Sequence, residues 1–149
     1  MTETYKAVGD ELRFAHNKSL VVNGLQVSPE CVDATITVGK EVDNVRAITI
    51  QLKDANGNDV TSVQHVKAYV MANAAGTAFA TTGGSAGIEI GTDGALLALV
   101  AKKAFLLTSE ADGDIDLTWT DTGHEAAYLH LELPNGKIVV SDALTNSDA

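Results

Sequence analysis

The clearest strand signal in the chain is the segment Tyr128-Leu-His-Leu-Glu-Leu133-Pro-Asn-Gly136-Lys-Ile-Val-Val-Ser141. Leucine occupies every second position of its first half, so the three leucines are expected to face a core while Tyr128, His130 and Glu132 face solvent. The central Pro-Asn-Gly supplies a turn, because asparagine and glycine tolerate the positive φ that tight turns require. The segment therefore predicts a β-hairpin.

The same two-residue period recurs upstream between turn signals, which indicates several short strands. Residues 95–109 are apolar with only Lys102 and Lys103 as an interruption, and we predict two strands joined at the lysines, although alanine and leucine also favour a helix. Trp119 is expected to anchor the core. The remaining predicted strands cover residues 45–52, 63–71, 87–91 and 115–120, with a long loop at 72–87.

The first 44 residues differ from the rest in their pattern of apolar residues. They contain short apolar pairs divided by turn residues, followed by an alternating strand at 32–38. We therefore divide the chain into an N-terminal β-rich arm at 1–44 and a β-sandwich at 45–149. Small apolar pairs bury little by themselves, so the arm should pack against its own domain, a symmetry mate or a partner. The side chains expected to make that contact are Leu12, Phe14, Leu20, Val22, Leu25 and Val27.

The acidic residues and histidines of the sequence form no recognisable catalytic, cofactor or metal site. The segment at 54–58 resembles the opening of a calcium loop, but Asp59 and His65 stand where a glycine and a bidentate glutamate are required, so we predict a hairpin turn instead. Asp112, Asp114 and Asp116 form an alternating acidic patch. This patch could bind calcium weakly, but we predict that its residues are ordinary outward charges of a strand. The four histidines are His16, His65, His124 and His130, and no two of them have the spacing of zinc ligands. We therefore expect that the chain is not an enzyme and that it requires neither a cofactor nor a metal.

Charge limits the possible partners. The net charge is −10, of which residues 1–107 contribute −2 and residues 108–149 contribute −8. Such a surface repels phosphate, which argues against nucleic acid and anionic membranes as partners. The chain has no apolar run long enough to cross a membrane and its N-terminus has no apolar signal region, so we expect synthesis in the cytoplasm.

Turn residues carry a resemblance to the immunoglobulin-like domains of bacteria and phages. The matching groups are Lys53-Asp-Ala-Asn-Gly57-Asn-Asp-Val60, Thr92-Asp-Gly94, and Leu107-Thr-Ser109 with Gly113-Asp-Ile115. The final segment at 128–141 is similar to the last hairpin of such domains in tailed-phage virion proteins. The resemblance covers about residues 45–145 and implies an immunoglobulin-like β-sandwich.

A second resemblance lies in the arm. Gly9-Asp-Glu-Leu12-Arg-Phe14, with Leu20-Val-Val22, resembles one turn of the repeat in trimeric viral fibre shafts. Together the two resemblances suggest a phage head-decoration, or capsid cement, protein. They imply a homotrimer that is made in the bacterial host and binds the major capsid protein lattice on the exterior of the virion. The alternative is a tail or fibre component, or an adhesin-type module, that binds a host-surface glycan.

Overall fold

The computed structural model describes residues 6–8, 11–13, 20–26 and 29–147, with the backbone alone at 6–8, 11–13 and Gln26. The described residues form β-strands and no helix. The strands are β1 (Lys6–Val8), β2 (Glu11–Arg13), β3 (Val21–Val22), β4 (Leu25–Gln26), β5 (Asp33–Val38), β6 (Val45–Lys53), β7 (His65–Met71), β8 (Gly87–Ile90), β9 (Ala95–Val100), β10 (Ala104–Thr108), β11 (Asp114–Thr120), β12 (Tyr128–Glu132) and β13 (Ile138–Val140).

Two antiparallel sheets form the body of the molecule. One has five strands in the order β13-β12-β7-β10-β9, and the other has four in the order β5-β6-β11-β8. The predictions of an all-β sandwich and of a hairpin at 128–141 are confirmed. So is the prediction of two strands within 95–109, since β9 and β10 pair antiparallel around the turn that contains Lys102.

The core lies between the inner faces of the two sheets. Alternate residues of β6, β7 and β11 are buried, as the two-residue period requires. Trp119 is completely buried, and the predicted inward residues Leu129, Leu131 and Leu133 are buried as well. The central apolar residues are Ile48, Ile50, Leu52, Val66, Ala68, Val70, Phe105, Leu107, Ile115, Leu117, Trp119, Leu129 and Leu131.

The sandwich includes a strand from the range that the sequence assigns to the arm. β5 pairs with β6 along its whole length, from Asp33 opposite Lys53 to Val38 opposite Ile48. Cys31 just before it is fully buried in the core. The four-stranded sheet therefore begins near residue 31, and the hairpins β1-β2 and β3-β4 lie upstream of it.

Candidate interaction surfaces

The arm presents an apolar hairpin to solvent. β3 and β4 pair across Asn23-Gly24, where both residues adopt positive φ, of 52° and 80° respectively. This is the geometry in which a two-residue turn matches the twist of its strands. Val21, Val22 and Leu25 are 54%, 48% and 71% exposed.

The structure describes the side chains of three of the six contact residues predicted from the sequence. Leu20, Val22 and Leu25 lie on or next to the β3-β4 hairpin, with Leu20 38% exposed. Leu12 lies in β2, where the backbone alone is described. Phe14 and Val27 lie outside the described residues. Val21 is also exposed on this hairpin. It is not one of the six predicted residues, because the sequence pattern pairs Leu20 with Val22.

The outer face of the five-stranded sheet is a second apolar surface. Residues that pair between neighbouring strands line up in rows that cross the sheet at right angles to the strands. One such row, from edge to edge, is Leu97, Leu106, Lys67, Glu132 and Ile138. Its central lysine and glutamate are of opposite charge, so the row is neutral overall. This face contrasts with the outer face of the four-stranded sheet, where β11 carries two carboxylates.

The adjacent row forms a groove. It runs Val100, Ala104, Tyr69, His130 and Val140 across the same five strands. The groove has a volume of about 500 Å³ and is lined by Tyr69, Met71, Ala74, Ala75, Gly76, Phe79, His130, Ile138 and Val140. Tyr69 and Phe79 contact each other edge to face, with ring centroids 6.4 Å apart, while Phe79 stays 47% exposed.

The prediction that His130 faces solvent is wrong. Its side chain is on the outer face as the alternation requires, but it is only 6% exposed. The loop after β7 folds over it, and His130 Nε2 donates a hydrogen bond to the Asn73 carbonyl at 3.1 Å. Gly76 lies so close that a β-carbon there would stand 2.9 Å from the imidazole. Strand alternation reports the face of a sheet, and it carries no information about a loop that covers that face.

Because His130 is buried and bonded, His130→Ala should destabilise the protein by about 1–2 kcal/mol, from the lost hydrogen bond and the lost packing. Lys67→Ala is the matched control, since Lys67 lies on the same outer face and is exposed. That control should cost less than about 0.5 kcal/mol. Urea unfolding of both variants measures the difference, and equal small losses would show that the loop does not protect the imidazole.

An acidic cluster lies at the end of β11. Asp93, Asp114 and Asp116 can bring one carboxylate oxygen each within 4.8 Å of one another, so Asp93 takes the place that the sequence interpretation gave to Asp112. Asp116 accepts hydrogen bonds from the Thr49 and Thr92 hydroxyls. Asp114 Oδ1 is buried and has no hydrogen-bond partner among the described residues. Burial, and then the neighbouring carboxylates, raise the pKa of Asp114 above its ordinary value.

A carboxyl whose pKa is raised by folding costs stability at every pH where it is ionised, and the cost disappears once the pH falls below its unfolded pKa. Asp114→Asn should therefore raise the melting temperature at pH 7 by about 1–3 °C and leave it unchanged near pH 3. The exposed Asp142→Asn serves as the control and should show no gain at either pH. A chelator should leave the wild-type melting temperature unchanged, whereas a calcium-dependent rise would make this cluster a metal site.

Several other polar motifs have structural partners. Asp54 Oδ1 accepts hydrogen bonds from the Asn56 and Asn58 amides at 2.8 and 3.0 Å, which confirms a turn. The predicted hairpin is wrong, because β6 before the turn and β7 after it lie in different sheets. Glu125 accepts hydrogen bonds from the Thr82, Gly83 and Gly84 amides and so holds the glycine-rich loop. Partial burial acts to raise the pKa of Glu125, but these hydrogen bonds outweigh it and hold the pKa below its ordinary value.

Comparison with protein-family models, with curated proteins and with solved structures returned no match to this chain. Within its described residues, the structure contains no helix able to span a membrane.

Proposed function

We propose that the chain is a structural protein of a phage virion that binds the outside of the capsid and decorates or stabilises it. The observation that carries the proposal is the β3-β4 hairpin, which exposes Val21, Val22 and Leu25 although apolar side chains favour burial. The sandwich by contrast closes its own core. A protein with a self-sufficient body and an unsatisfied apolar arm is suited to attachment.

The charge distribution supports the same division. Residues 1–29 contain three acidic and three basic side chains and are neutral overall, so residues 30–149 carry the whole net charge of −10. A neutral arm can approach a shell or a sister copy without the repulsion that two acidic bodies would experience. An acidic body suits the exterior of a capsid, because a surface that faces the genome benefits from positive charge.

In this proposal the major capsid protein lattice and sister copies are the partners of Leu12, Phe14, Leu20, Val22, Leu25 and Val27. The body projects into solvent as an immunoglobulin-like domain. The homotrimer implied by the fibre-like segment gives each short strand of the arm a neighbour to pair with, and closed symmetry favours such arrangements.

Substitution in the arm tests the proposal. Leu25→Asp, in the full chain, should reduce binding to purified capsid shells by at least about tenfold, since it places a charge in an apolar contact. Val42→Asp is the matched control, because Val42 is 66% exposed and lies in the body, against 71% for Leu25. Co-sedimentation with shells measures binding, and thermal melts confirm that both variants fold. Equal binding by the two variants would contradict the arm as the anchor.

A glycan-binding tail or fibre module is the second candidate, and the groove favours it. Exposed aromatic rings such as Phe79, beside Tyr69, offer the flat apolar surface on which sugar rings stack. The same shell experiment separates the two candidates, since a glycan-binding module would not sediment with shells.

A further inference from the structure

β9 is an edge strand with an unprotected outer side. It ends the five-stranded sheet, and within the described residues its only strand partner is β10. Its sequence, Ala95-Leu-Leu-Ala-Leu-Val100, contains no charge and no proline. Leu97, Leu99 and Val100 are 61%, 52% and 54% exposed. An edge of this kind offers unpaired backbone groups beside apolar side chains, which is the combination that recruits another strand.

The other three edges of the sandwich carry the usual protection. β13 has only three residues and β8 has four, with Glu89 in the middle of β8. β5 begins at Asp33, which forms an ion pair with Lys137 at the start of β13. Short length, charge and β-bulges are devices by which natural sheets avoid edge-to-edge pairing. β9 is six residues long and uncharged, and it has a register shift opposite Ala104 and Phe105, near its Lys102 end. Residues 95–98 before that shift pair regularly with β10, so they offer a regular edge to another strand.

The two ends of β9 have opposite charge. Asp93 precedes the strand and lies in the cluster with Asp114 and Asp116, and Glu110 accepts a hydrogen bond from the Gly94 amide at 3.2 Å. Lys102 and Lys103 follow the strand in the turn to β10. Lys102 Nζ donates to the Ser85 carbonyl at 2.6 Å, whereas Lys103 forms no ion pair within the described part of the chain.

We propose that two copies of the chain associate by antiparallel pairing of their β9 edges. A twofold axis near Leu97 places the Asp93 end of each strand beside the Lys102-Lys103 end of the other. Each carboxylate cluster then receives the positive charge that it lacks in the isolated chain. The two five-stranded sheets become one continuous ten-stranded sheet, and the neutral outer faces of the copies lie side by side.

The buried area predicts a weak contact. Leu97, Leu99 and Val100 together present on the order of 300 Å² per copy, compared with about 800 Å² per partner in a stable standard interface. We therefore expect dissociation constants of about 30–300 μM in free solution. The contact would become effective where copies are held close together, because tethering raises the local concentration.

This association goes beyond the proposed function, because it involves no shell and uses an edge far in sequence from the arm. If copies occupy threefold positions on a lattice, a twofold contact of this kind joins neighbouring trimers. The two ideas also fail separately: shell binding tests the first, and self-association without shells tests the second.

Sedimentation velocity of the full chain, without shells, tests the pairing. The weight-average mass should rise by at least about 1.4-fold as the concentration rises from about 10 μM to about 1 mM. Leu97→Lys should raise the dissociation constant at least about tenfold, because a lysine on an edge strand opposes pairing. Val42→Lys is the matched control, since it changes the net charge equally at a position that is 66% exposed and away from β9. Thermal melts establish that each variant is folded.

A charge exchange tests the antiparallel arrangement. Lys103→Glu alone should weaken association, and Asp93→Lys alone should do the same, because each places like charges together across the axis. The double variant should restore association to within about threefold of the wild type. The proposal is overturned if the wild-type mass does not rise with concentration, if Leu97→Lys and Val42→Lys associate equally, or if the double variant is no better than the single ones.

Discussion

Trp119→Ala should lower the free energy of unfolding by about 3–5 kcal/mol, which is the range for removing a large aromatic side chain from a core. Trp119 is fully buried at the centre of the four-stranded sheet, and its ring lies so close to Gly84 that a β-carbon there would stand 2.9 Å away. Loss of the indole leaves a cavity that the rigid strands around it cannot close. Urea unfolding measures the change.

Two further substitutions make the result specific. Thr118→Ala changes the neighbouring outward residue and should cost less than about 0.5 kcal/mol. Trp119→Phe should cost clearly less than Trp119→Ala, because it keeps an aromatic ring and removes the indole Nε1, which is buried without a hydrogen-bond partner. Similar losses for Trp119→Ala and Thr118→Ala would mean that the faces of β11 are reversed.

Gly83→Ala should destabilise the protein by about 2–5 kcal/mol, from backbone strain and steric overlap together. Gly83 has φ of +77°, and a β-carbon there would lie 2.3 Å from the Lys102 carbonyl oxygen. That oxygen belongs to the backbone of the β9-β10 turn, so it cannot move aside at low cost. The melting temperature and urea midpoint measure the effect.

Gly57→Ala separates the effect of backbone strain from the effect of steric overlap. Gly57 has φ of +81° but nothing within 4 Å of the added carbon, so it should show the backbone strain alone, about 1 kcal/mol. If the two alanine variants are equally stable, the 82–87 loop does not lie against the β9-β10 turn.

Strand positions and inward faces were predictable because they depend on local alternation. β6 and β11 bury every second residue along most of their length, and a period of two is visible in the sequence without knowledge of any partner. Leu129 and Leu131 of β12 follow the same period. The turn at 54–58 was equally predictable, since aspartate followed by asparagine and glycine favours it through contacts within five residues.

Long-range features were not predictable from the same patterns. His130 is covered by a loop more than fifty residues away in sequence, and Asp93 joins Asp114 only because β8 and the residues after it lie beside β11. β9 gave no signal of its exposed edge, because an unbroken apolar run is as typical of a buried strand as of an interface. The exposure of Leu97 depends on which strand ends the sheet, and alternation does not determine sheet order.

Attachment of the chain to the exterior of a capsid through its arm can be observed by electron microscopy of purified shells incubated with the full chain, with the Leu25→Asp variant in parallel. If the proposal holds, we expect regularly spaced density on the outer surface of the shell, with the hairpin at residues 20–26 innermost and the acidic body projecting outward. The variant should leave the shell bare. Bare shells with the wild-type chain, or density attached through the acidic face of the four-stranded sheet, would contradict the proposal.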